Sequence, residues 1–442
     1  MPNIVYLDID SLRADHLGCY GCPMDTSPHI DRLAREGVLC DHLFCCGLPT
    51  HPAHATLYTG RHPISHGIVC HGGAADLPHS VPVLPELLQQ AGLTTCAVDN
   101  LADSKPWFAR GYEFYINTTH RHRMRLMVTA EEVNSRAVPW IRHHRQESFF
   151  LFVHFWDPHT PYLPPHRLRH LFYEGDPSAT PDDTLKAVDR QPLGDFWRKN
   201  WFDKLAPGLR DADYVRAMYD SEIRYVDEAV GEILNTLEAE GLADDTVVVL
   251  SADHGESLLE HDILFEHHGL YDCTLRVPFV VRWPAGGVSG GQRLTGLRDQ
   301  RDVLPTLLEA AGKLAPEGVE GQSLLPALRG QGDTGRDQIV AEECTWQVKW
   351  ALRTRTHKLI LAREPDLHNT PMLELYDLEA DPGETVNLAG QEKALARRME
   401  QELEAWIALR LKETGQSQDP LVAQGATLGK RYKELFANTK LD

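Results

Sequence analysis

Three apolar runs stand out in the first 250 residues of the chain, at positions 4–9, 149–155 and 246–250. Short apolar runs without alternation are typical of strands that are buried on both faces of a parallel sheet. Polar residues lie at or just after the end of each run. They are Asp8 and Asp10, Asp157 and His159, and Asp253 and His254. Because open α/β sheets bind ligands beyond the carboxyl ends of their strands, we predict that these residues contribute to one shared site.

The rest of the pattern predicts helices and a second, smaller unit. Apolar residues recur every three to four positions from 215 to 237, which predicts one amphipathic helix that ends at Gly241. Residues 163–212 are weakly periodic and rich in Pro, Asp, His and Trp, so we expect an insertion that selects the substrate. Short strand-like runs after residue 335 indicate an antiparallel sheet, followed by a helix. We therefore expect a catalytic α/β domain over 1–334, a small C-terminal α+β subdomain over 335–412, and an irregular tail over 413–442.

Charge and composition limit the classes of partner. The chain has 44 Lys and Arg against 64 Asp and Glu, and the resulting charge of −20 argues against a nucleic-acid or anionic-membrane binder. There is no stretch of eighteen apolar residues and no secretory signal, so we expect a cytoplasmic protein without a membrane span. The nine cysteines are interpreted as mostly free thiols. Self-association into a homo-oligomer stays open.

The 23 histidines are unusual and point to metal or acid–base chemistry. Asp10 closes the first run, and Asp253 with His254 follows the third. Carboxylate and imidazole ligands together suit a divalent cation, with Mn²⁺, Zn²⁺ and Ca²⁺ all open. Thr50 stands at a predicted helix N-terminus, where the helix dipole and a nearby cation could make its hydroxyl a nucleophile. The alternative interpretation of Thr50 alone is a helix N-cap.

Taken together and in order, these pieces resemble the sulfatase family of the alkaline phosphatase superfamily. The matching blocks are residues 3–21, 59–61, 214–227, 251–256 with 275–278, and 374–388. The resemblance implies a large alkaline-phosphatase-like mixed sheet that is flanked by helices, with a small C-terminal subdomain. It covers nearly the whole chain.

The nucleophile segment departs from that family. Its signature is Cys or Ser, any residue, Pro, any residue, Arg, whereas this chain has Thr50, Pro52 and His54 at those positions. Thr is not expected to be oxidised to formylglycine, so we expect none. Thr-x-Pro-x-His resembles instead the segment of nucleotide pyrophosphatase/phosphodiesterases, which use an unmodified Thr. A Thr ester must be cleaved by water, which suits phosphorus better than sulfur.

The resemblance also implies roles for individual residues. One divalent metal would lie between Asp10, Thr50, Asp253 and His254. Catalytic roles fall to Thr50 as nucleophile and to His159 and His54 as groups that contact or protonate the reacting ester. The candidate substrate-binding residues are His267, His268, Asn100 and Arg61. A second metal between Asp157, His159 and His267 stays open as an alternative.

We therefore predict a metal-dependent hydrolase of small-molecule anionic esters. The preferred substrates are phosphate monoesters, phosphodiesters or phosphonate esters, with attack by Thr50. One alternative is a sulfatase that works without formylglycine. Another is a non-catalytic pseudoenzyme that binds an anion through the retained metal.

Overall fold

The computed structural model describes residues 1–119, 125–190, 194–366 and 370–430. The strands are β1 (Asn3–Ile9), β2 (Val38–Cys40), β3 (Leu43–Phe44), β4 (Gly47–Leu48), β5 (Thr94–Val98), β6 (Phe114–Ile116), β7 (Phe149–Phe155), β8 (Thr246–Ser251), β9 (Ser257–Leu258), β10 (Leu264–Glu266), β11 (Arg276–Val277), β12 (Phe279–Arg282), β13 (Gln292–Leu294), β14 (Arg298–Asp299), β15 (Gln338–Glu343), β16 (Lys349–Thr354), β17 (His357–Ala362) and β18 (Leu373–Asp377). The α-helices are α1 (Pro28–Glu36), α2 (Thr50–Thr59), α3 (Pro63–His66), α4 (Leu84–Ala91), α5 (Ala130–His143), α6 (Gly194–Trp197), α7 (Asp203–Leu205), α8 (Ala212–Ala239), α9 (Asp272–Leu275), α10 (Val303–Ala310), α11 (Leu325–Leu328), α12 (Lys393–Thr414) and α13 (Pro420–Gln424).

An eight-stranded mixed sheet forms the centre of the fold, in the order β13-β2-β12-β8-β1-β7-β5-β6. The three apolar runs of the sequence are β1, β7 and β8, and β1 pairs in parallel with both of the others. Every residue of these three strands is buried. The predicted parallel strands are therefore confirmed, and their carboxyl ends lie side by side at one edge of the sheet.

Helix α8 is the long amphipathic helix that the apolar repeat predicts. Its N-terminus is capped by Asp211, whose side chain accepts a hydrogen bond from the backbone N–H of Asp213. The helix ends just before Gly241, which has a φ of 71°. A left-handed residue at this position ends a helix, and glycine adopts it without steric strain. Together with α5, it packs beside the central sheet.

The C-terminal sheet is also present, with one addition from the front of the chain. Strands β15 to β18 form the predicted antiparallel meander. The two-residue strand β4 adds to its edge, parallel to β15. Because β4 ends two residues before Thr50, this pairing ties the nucleophile segment to the C-terminal sheet. The boundary at residue 334 stays a prediction.

Two regions that were expected to be irregular contain helices. The expected irregular tail at 413–442 begins inside α12, and Asp419 caps the further helix α13. That part of the prediction is wrong as far as residue 430, and residues 431–442 lie outside the described residues. The 163–212 segment contains short helices and buries Trp201 and Phe202 against Phe265. Its residues 191–193 also lie outside the described part, and its role in substrate selection stays a prediction.

Candidate active site

Adjacent strands bring a set of buried polar side chains together at the carboxyl edge of the central sheet. Asp8 and Asp10 lie on or just after β1, and His154 lies on β7 directly across from Asp8. Asp99 follows β5, and Asp253 follows β8. Strand order therefore explains why residues from four distant parts of the sequence meet.

Asp10, Asp253 and His254 form the most compact group. His254 Nε2 lies 3.2 Å from Asp253 Oδ2 and 3.9 Å from Asp10 Oδ1. One ligand atom from each residue lies within 4.8 Å of the other two. Asp10 Oδ2, Asp253 Oδ2 and His254 Nε2 are buried and have no hydrogen-bond partner among the described residues. Buried polar atoms are normally satisfied, so these three fit a divalent cation with oxygen and nitrogen ligands.

Backbone contacts hold this group in place. His254 Nδ1 donates to the carbonyl of Gly255 over 3.0 Å, which points Nε2 toward the carboxylates. The side chain of Gln300 donates to the carbonyl of Asp253 over 2.8 Å. Ser11, where many sulfatases have a second Asp, donates from its hydroxyl to Asp10 Oδ1 over 2.9 Å and from its N–H to Asp253 Oδ1 over 3.3 Å. Ser11 therefore orients both carboxylates.

The two carboxylates differ in their acidity. Burial, with the nearby Asp10 carboxylate, raises the pKa of Asp253 to about 6. Burial also opposes ionisation of Asp10, but the neighbouring imidazoles of His159, His154 and His254 outweigh it and hold the pKa of Asp10 below its usual range. This arrangement concentrates negative charge on Asp10 and favours binding of a cation.

Thr50 is the first residue of α2 and is 3% exposed. The N-terminus of a helix carries a partial positive charge, which favours an ionised hydroxyl or a bound anion there. His54 lies one turn later. Its Nδ1 donates to the carbonyl of Thr50 over 2.8 Å, and its Nε2 lies 2.8 Å from Asp8 Oδ2. Burial would lower the pKa of His54, but Asp8 outweighs it and raises that pKa to about 9.

His159 and His267 lie beside the Asp10–Asp253–His254 group, and their roles toward the substrate stay predictions. The ring of His267 stacks on His254 at a centroid distance of 4.9 Å and lies 4.8 Å from the ring of His159. His159 Nδ1 donates to the carbonyl of Thr160 over 2.7 Å. Burial lowers the pKa of both His159 and His267. Such rings can accept or pass on a proton.

Asn100 and His268 contact tryptophan side chains. Asn100 Oδ1 accepts a hydrogen bond from Trp156 Nε1 over 2.8 Å, and the Trp156 ring contacts the edges of both His154 and His159. The buried His268 ring lies 5.3 Å from the ring of Trp346 in the C-terminal unit. Asn100 thus supports a wall of the site, and direct substrate contact by either residue stays a prediction.

Two predicted site residues point elsewhere. Asp157 Oδ2 accepts a hydrogen bond from the N–H of Ala130 over 2.8 Å at the start of α5, and burial raises the pKa of Asp157 to about 6. It therefore caps a helix and does not complete a metal site with His159 and His267. Arg61 follows the far end of α2, about 15 Å along the helix axis from Thr50. Its guanidinium lies against Gly318, and substrate contact by Arg61 stays a prediction.

Two residues of the cluster were missed in the sequence. His154 lies within an apolar run, and Asp99 occupies the region where the family has a Lys-x-His motif. His154 Nε2 lies 3.5 Å from Asp10 Oδ2, and its Nδ1 lies 3.3 Å from Asp99 Oδ1. A polar residue inside a fully buried strand was the available signal. Its partners became visible only with the strand register.

Comparison with known proteins identifies relatives over nearly the whole chain. The family model described as sulfatase matches residues 2–313, and the model of the N-sulphoglucosamine sulphohydrolase C-terminal region matches residues 260–409. The chain is 23% identical to N-acetylglucosamine-6-O-sulfatase from Bacteroides thetaiotaomicron, covering 90% of this chain and 84% of that protein. It is 25% identical to an arylsulfatase from Clostridium perfringens, covering 89% and 91%.

Solved structures show the same architecture. A protein in complex with its substrate D-glucosamine-2-N,6-O-disulfate matches with a TM-score of 0.75 and 22% identity, over 95% of this chain and 99% of that one. The phosphonate monoester hydrolase of Agrobacterium radiobacter matches with a TM-score of 0.71 and 21% identity, over 93% and 96%. These similarities establish the fold.

Because the sulfatase model spans well over half of the chain, this protein belongs to the sulfatase family. The predicted resemblance, the large mixed sheet and the enzyme class are thereby confirmed: it is an ester hydrolase of the alkaline phosphatase superfamily. Members of that superfamily bind a divalent metal, which agrees with the Asp10–Asp253–His254 group. In the described part of the chain, we find no helix with the length and apolar character of a membrane span.

Proposed function

We propose that this protein hydrolyses small-molecule phosphate monoesters, phosphodiesters or phosphonate esters with Thr50 as its nucleophile. The observation that carries this proposal is the Thr50 hydroxyl at the N-terminus of α2, at the position where the sulfatase signature has an oxidisable Cys or Ser. The buried group of Asp10, Asp253 and His254, which could hold a divalent cation, supports it.

A divalent cation held by these three residues and Thr50 would lower the pKa of the hydroxyl and stabilise negative charge on the phosphoryl oxygens. Two carboxylates and an imidazole suit Mn²⁺ or Zn²⁺ better than Ca²⁺. The α2 N-terminus adds a partial positive charge on the same side.

The residues divide the reaction into two displacements. Thr50 Oγ loses its proton and forms a bond to phosphorus, while the bond from phosphorus to the leaving alkoxide breaks. Because His159 Nδ1 donates to a carbonyl, Nε2 is the nitrogen that takes up the proton of Thr50 Oγ and gives it to the leaving oxygen, and in the second displacement it takes a proton from the attacking water and returns it to Thr50 Oγ. Water then attacks the phosphorus of the Thr50 ester, and the Thr50 hydroxyl is restored.

The chemistry of the second displacement favours phosphorus over sulfur. A formylglycine hydrate can eject sulfate by collapse of its hemiacetal, whereas a plain Thr ester has no such route. The ester must instead be cleaved by direct attack of water on the central atom, which phosphoryl and phosphonyl esters undergo more readily than a sulfate ester. Sulfate ester hydrolysis is the second candidate, because the relatives of this chain include sulfatases that act on sugars and aryl sulfates.

One set of assays tests both candidates. The purified metal-loaded protein is compared on an aryl phosphate, a bis-aryl phosphate, an aryl phosphonate and an aryl sulfate. We expect kcat/KM to be highest on a phosphorus ester, and Thr50→Ala to reduce it by about 10³-fold or more while the fold is retained. Thr59→Ala is the matched control on the same helix, because Thr59 Oγ1 donates to the carbonyl of Ala55 and accepts from the N–H of Arg61, both at the far end of the helix from Thr50. Retention of wild-type activity in Thr50→Ala would contradict the mechanism.

A further inference from the structure

We propose that the chain has a second divalent-cation site, formed by Asp8, His54 and His154 and placed directly beside the first. The proposal deepens the proposed function, from which it takes the first cation site. Its residues differ from the Asp157–His159–His267 set that the sequence suggested.

The three side chains come from three elements that pack together. Asp8 and His154 are register partners on the parallel strands β1 and β7, so their side chains lie on the same face of the sheet. His54 reaches that face from α2. One ligand atom from each residue lies within 4.8 Å of the other two, and all three side chains are inaccessible to solvent.

Several polar atoms of this group have no hydrogen-bond partner. Asp8 Oδ1 and both ring nitrogens of His154 are buried and unsatisfied among the described residues. His54 adds a further point. Because its Nδ1–H donates to the carbonyl of Thr50, a neutral ring presents a lone pair at Nε2, only 2.8 Å from Asp8 Oδ2. Two lone pairs at that distance require a positive charge between or beside them, either a proton on the ring or a cation.

The charge of the cluster accommodates a second cation. Asp8, Asp10, Asp99 and Asp253 are four buried carboxylates, and in the described part of the chain their ion-pair partners are all histidines. Burial of unpaired charge is strongly unfavourable. With one cation in the Asp10–Asp253–His254 group, Asp8 and Asp99 are neutralised only when the imidazoles of His54 and His154 carry protons, whereas a second cation balances the four carboxylates with neutral rings.

Asp10 links the two groups. Its Oδ1 faces His254 Nε2 at 3.9 Å, and its Oδ2 faces His154 Nε2 at 3.5 Å. A carboxylate with one oxygen toward each group can bridge two cations, as in other two-metal hydrolytic centres. Two imidazoles and carboxylate oxygens select a cation such as Zn²⁺ or Mn²⁺ over Mg²⁺ or Ca²⁺.

The test counts cations bound to the full-length protein. Metal-free protein is titrated with Zn²⁺ and, separately, with Mn²⁺, and bound metal is measured by elemental analysis after gel filtration. We expect two equivalents per chain for the wild type and one for Asp8→Asn and for His154→Gln. The matched control is His16→Gln, which breaks another Asp–His pair, with His16 Nδ1 at 2.6 Å from Asp220 Oδ1. This variant should retain two equivalents.

Two results would overturn the proposal. One is a single equivalent in the wild type, which would mean that protonated imidazoles neutralise Asp8. The other is an unchanged second equivalent in Asp8→Asn and His154→Gln. If neither variant folds, anomalous diffraction from metal-loaded wild-type crystals is the test. We expect a second anomalous peak between Asp8 and His154, and its absence would overturn the proposal. The number of bound cations is measured without turnover. A failure of this proposal can therefore be distinguished from a failure of the proposed reaction.

Discussion

Two buried clusters of charged residues differ in how well their atoms are satisfied. In the C-terminal sheet, Lys349 Nζ lies 2.9 Å from Asp366 Oδ2 and 3.3 Å from Glu374 Oε1. Glu374 Oε2 accepts further hydrogen bonds from the hydroxyls of Tyr271 and Tyr376, over 2.8 and 2.7 Å. In the Asp10–Asp253–His254 group, by contrast, each residue retains a buried atom without a hydrogen-bond partner among the described residues.

This difference indicates a structural role for the Lys349 cluster and a binding role for the Asp10–Asp253–His254 group. Buried charge is tolerated where its own protein partners complete it, and the Lys349 cluster then holds a sheet together. A cluster that folding leaves incomplete is stabilised by what it binds. Both clusters are buried, so burial alone does not distinguish them. They differ in whether their buried polar atoms have hydrogen-bond partners within the protein.

The largest expected effect concerns the incomplete cluster. Asp253→Asn removes a proposed metal ligand, so we expect kcat/KM on the preferred ester to fall by about 10³-fold. A cation at about 1,000 times its dissociation constant should stabilise the wild type by about 4 kcal/mol. Thermal unfolding with and without Zn²⁺ should show this stabilisation for each cation that the wild type binds, and a smaller increment in Asp253→Asn, which keeps the proposed Asp8–His54–His154 site. An equal Zn²⁺ response in both proteins would show that the cation binds elsewhere.

A change in the Lys349 cluster should lower the stability of the metal-free protein and leave its response to Zn²⁺ unchanged. Lys349→Met leaves the carboxylates of Asp366 and Glu374 without their buried cation, and we expect a loss of about 3–5 kcal/mol in the free energy of unfolding. Urea denaturation of metal-free protein measures it. The increment in stability on addition of Zn²⁺ should match that of the wild type, and a loss of that increment would erase the distinction between the clusters.

A smaller effect follows from the raised pKa of Asp253. With a pKa of about 6 in the metal-free fold, this carboxyl must lose a proton before it binds a cation in acid. Metal affinity should therefore fall below pH 6, by up to about tenfold per pH unit. The same shift makes the contribution of Asp253 to metal-free stability decline as pH rises from about 4 to 6, because the folded state binds its proton more tightly. Titration calorimetry at pH 5, 6, 7 and 8 measures the affinity, and a flat profile would contradict the expectation.

Much of the fold was predictable from sequence because its signals are local. The parallel strands β1, β7 and β8 came from apolar runs, and α8 came from its apolar repeat. The grouping of Asp10, Asp253 and His254 was predictable because they lie at strand ends, where this class of sheet binds its ligands, and their role as metal ligands stays a proposal.

The remaining features depend on contacts between distant parts of the chain. His154 is hidden within an apolar run until the register of β1 and β7 places it beside Asp8. Strand β4 is only two residues long, too short for any periodicity to reveal. The sequence suggested Asp157 as a ligand of a second metal, but a carboxylate near a strand end serves equally well as a helix cap. The direction in which the Asp157 side chain points cannot be read from the sequence.

The most direct test of the central claim is to trap the covalent intermediate on Thr50. Metal-loaded protein is mixed with a bis-aryl phosphate, quenched in acid within the first turnover, digested and analysed by peptide mass spectrometry. The account predicts an aryl phosphate ester on the hydroxyl of Thr50, absent from Thr50→Ala. Rapid turnover of the ester with no adduct in the wild type, and with equal rate in Thr50→Ala, would contradict it.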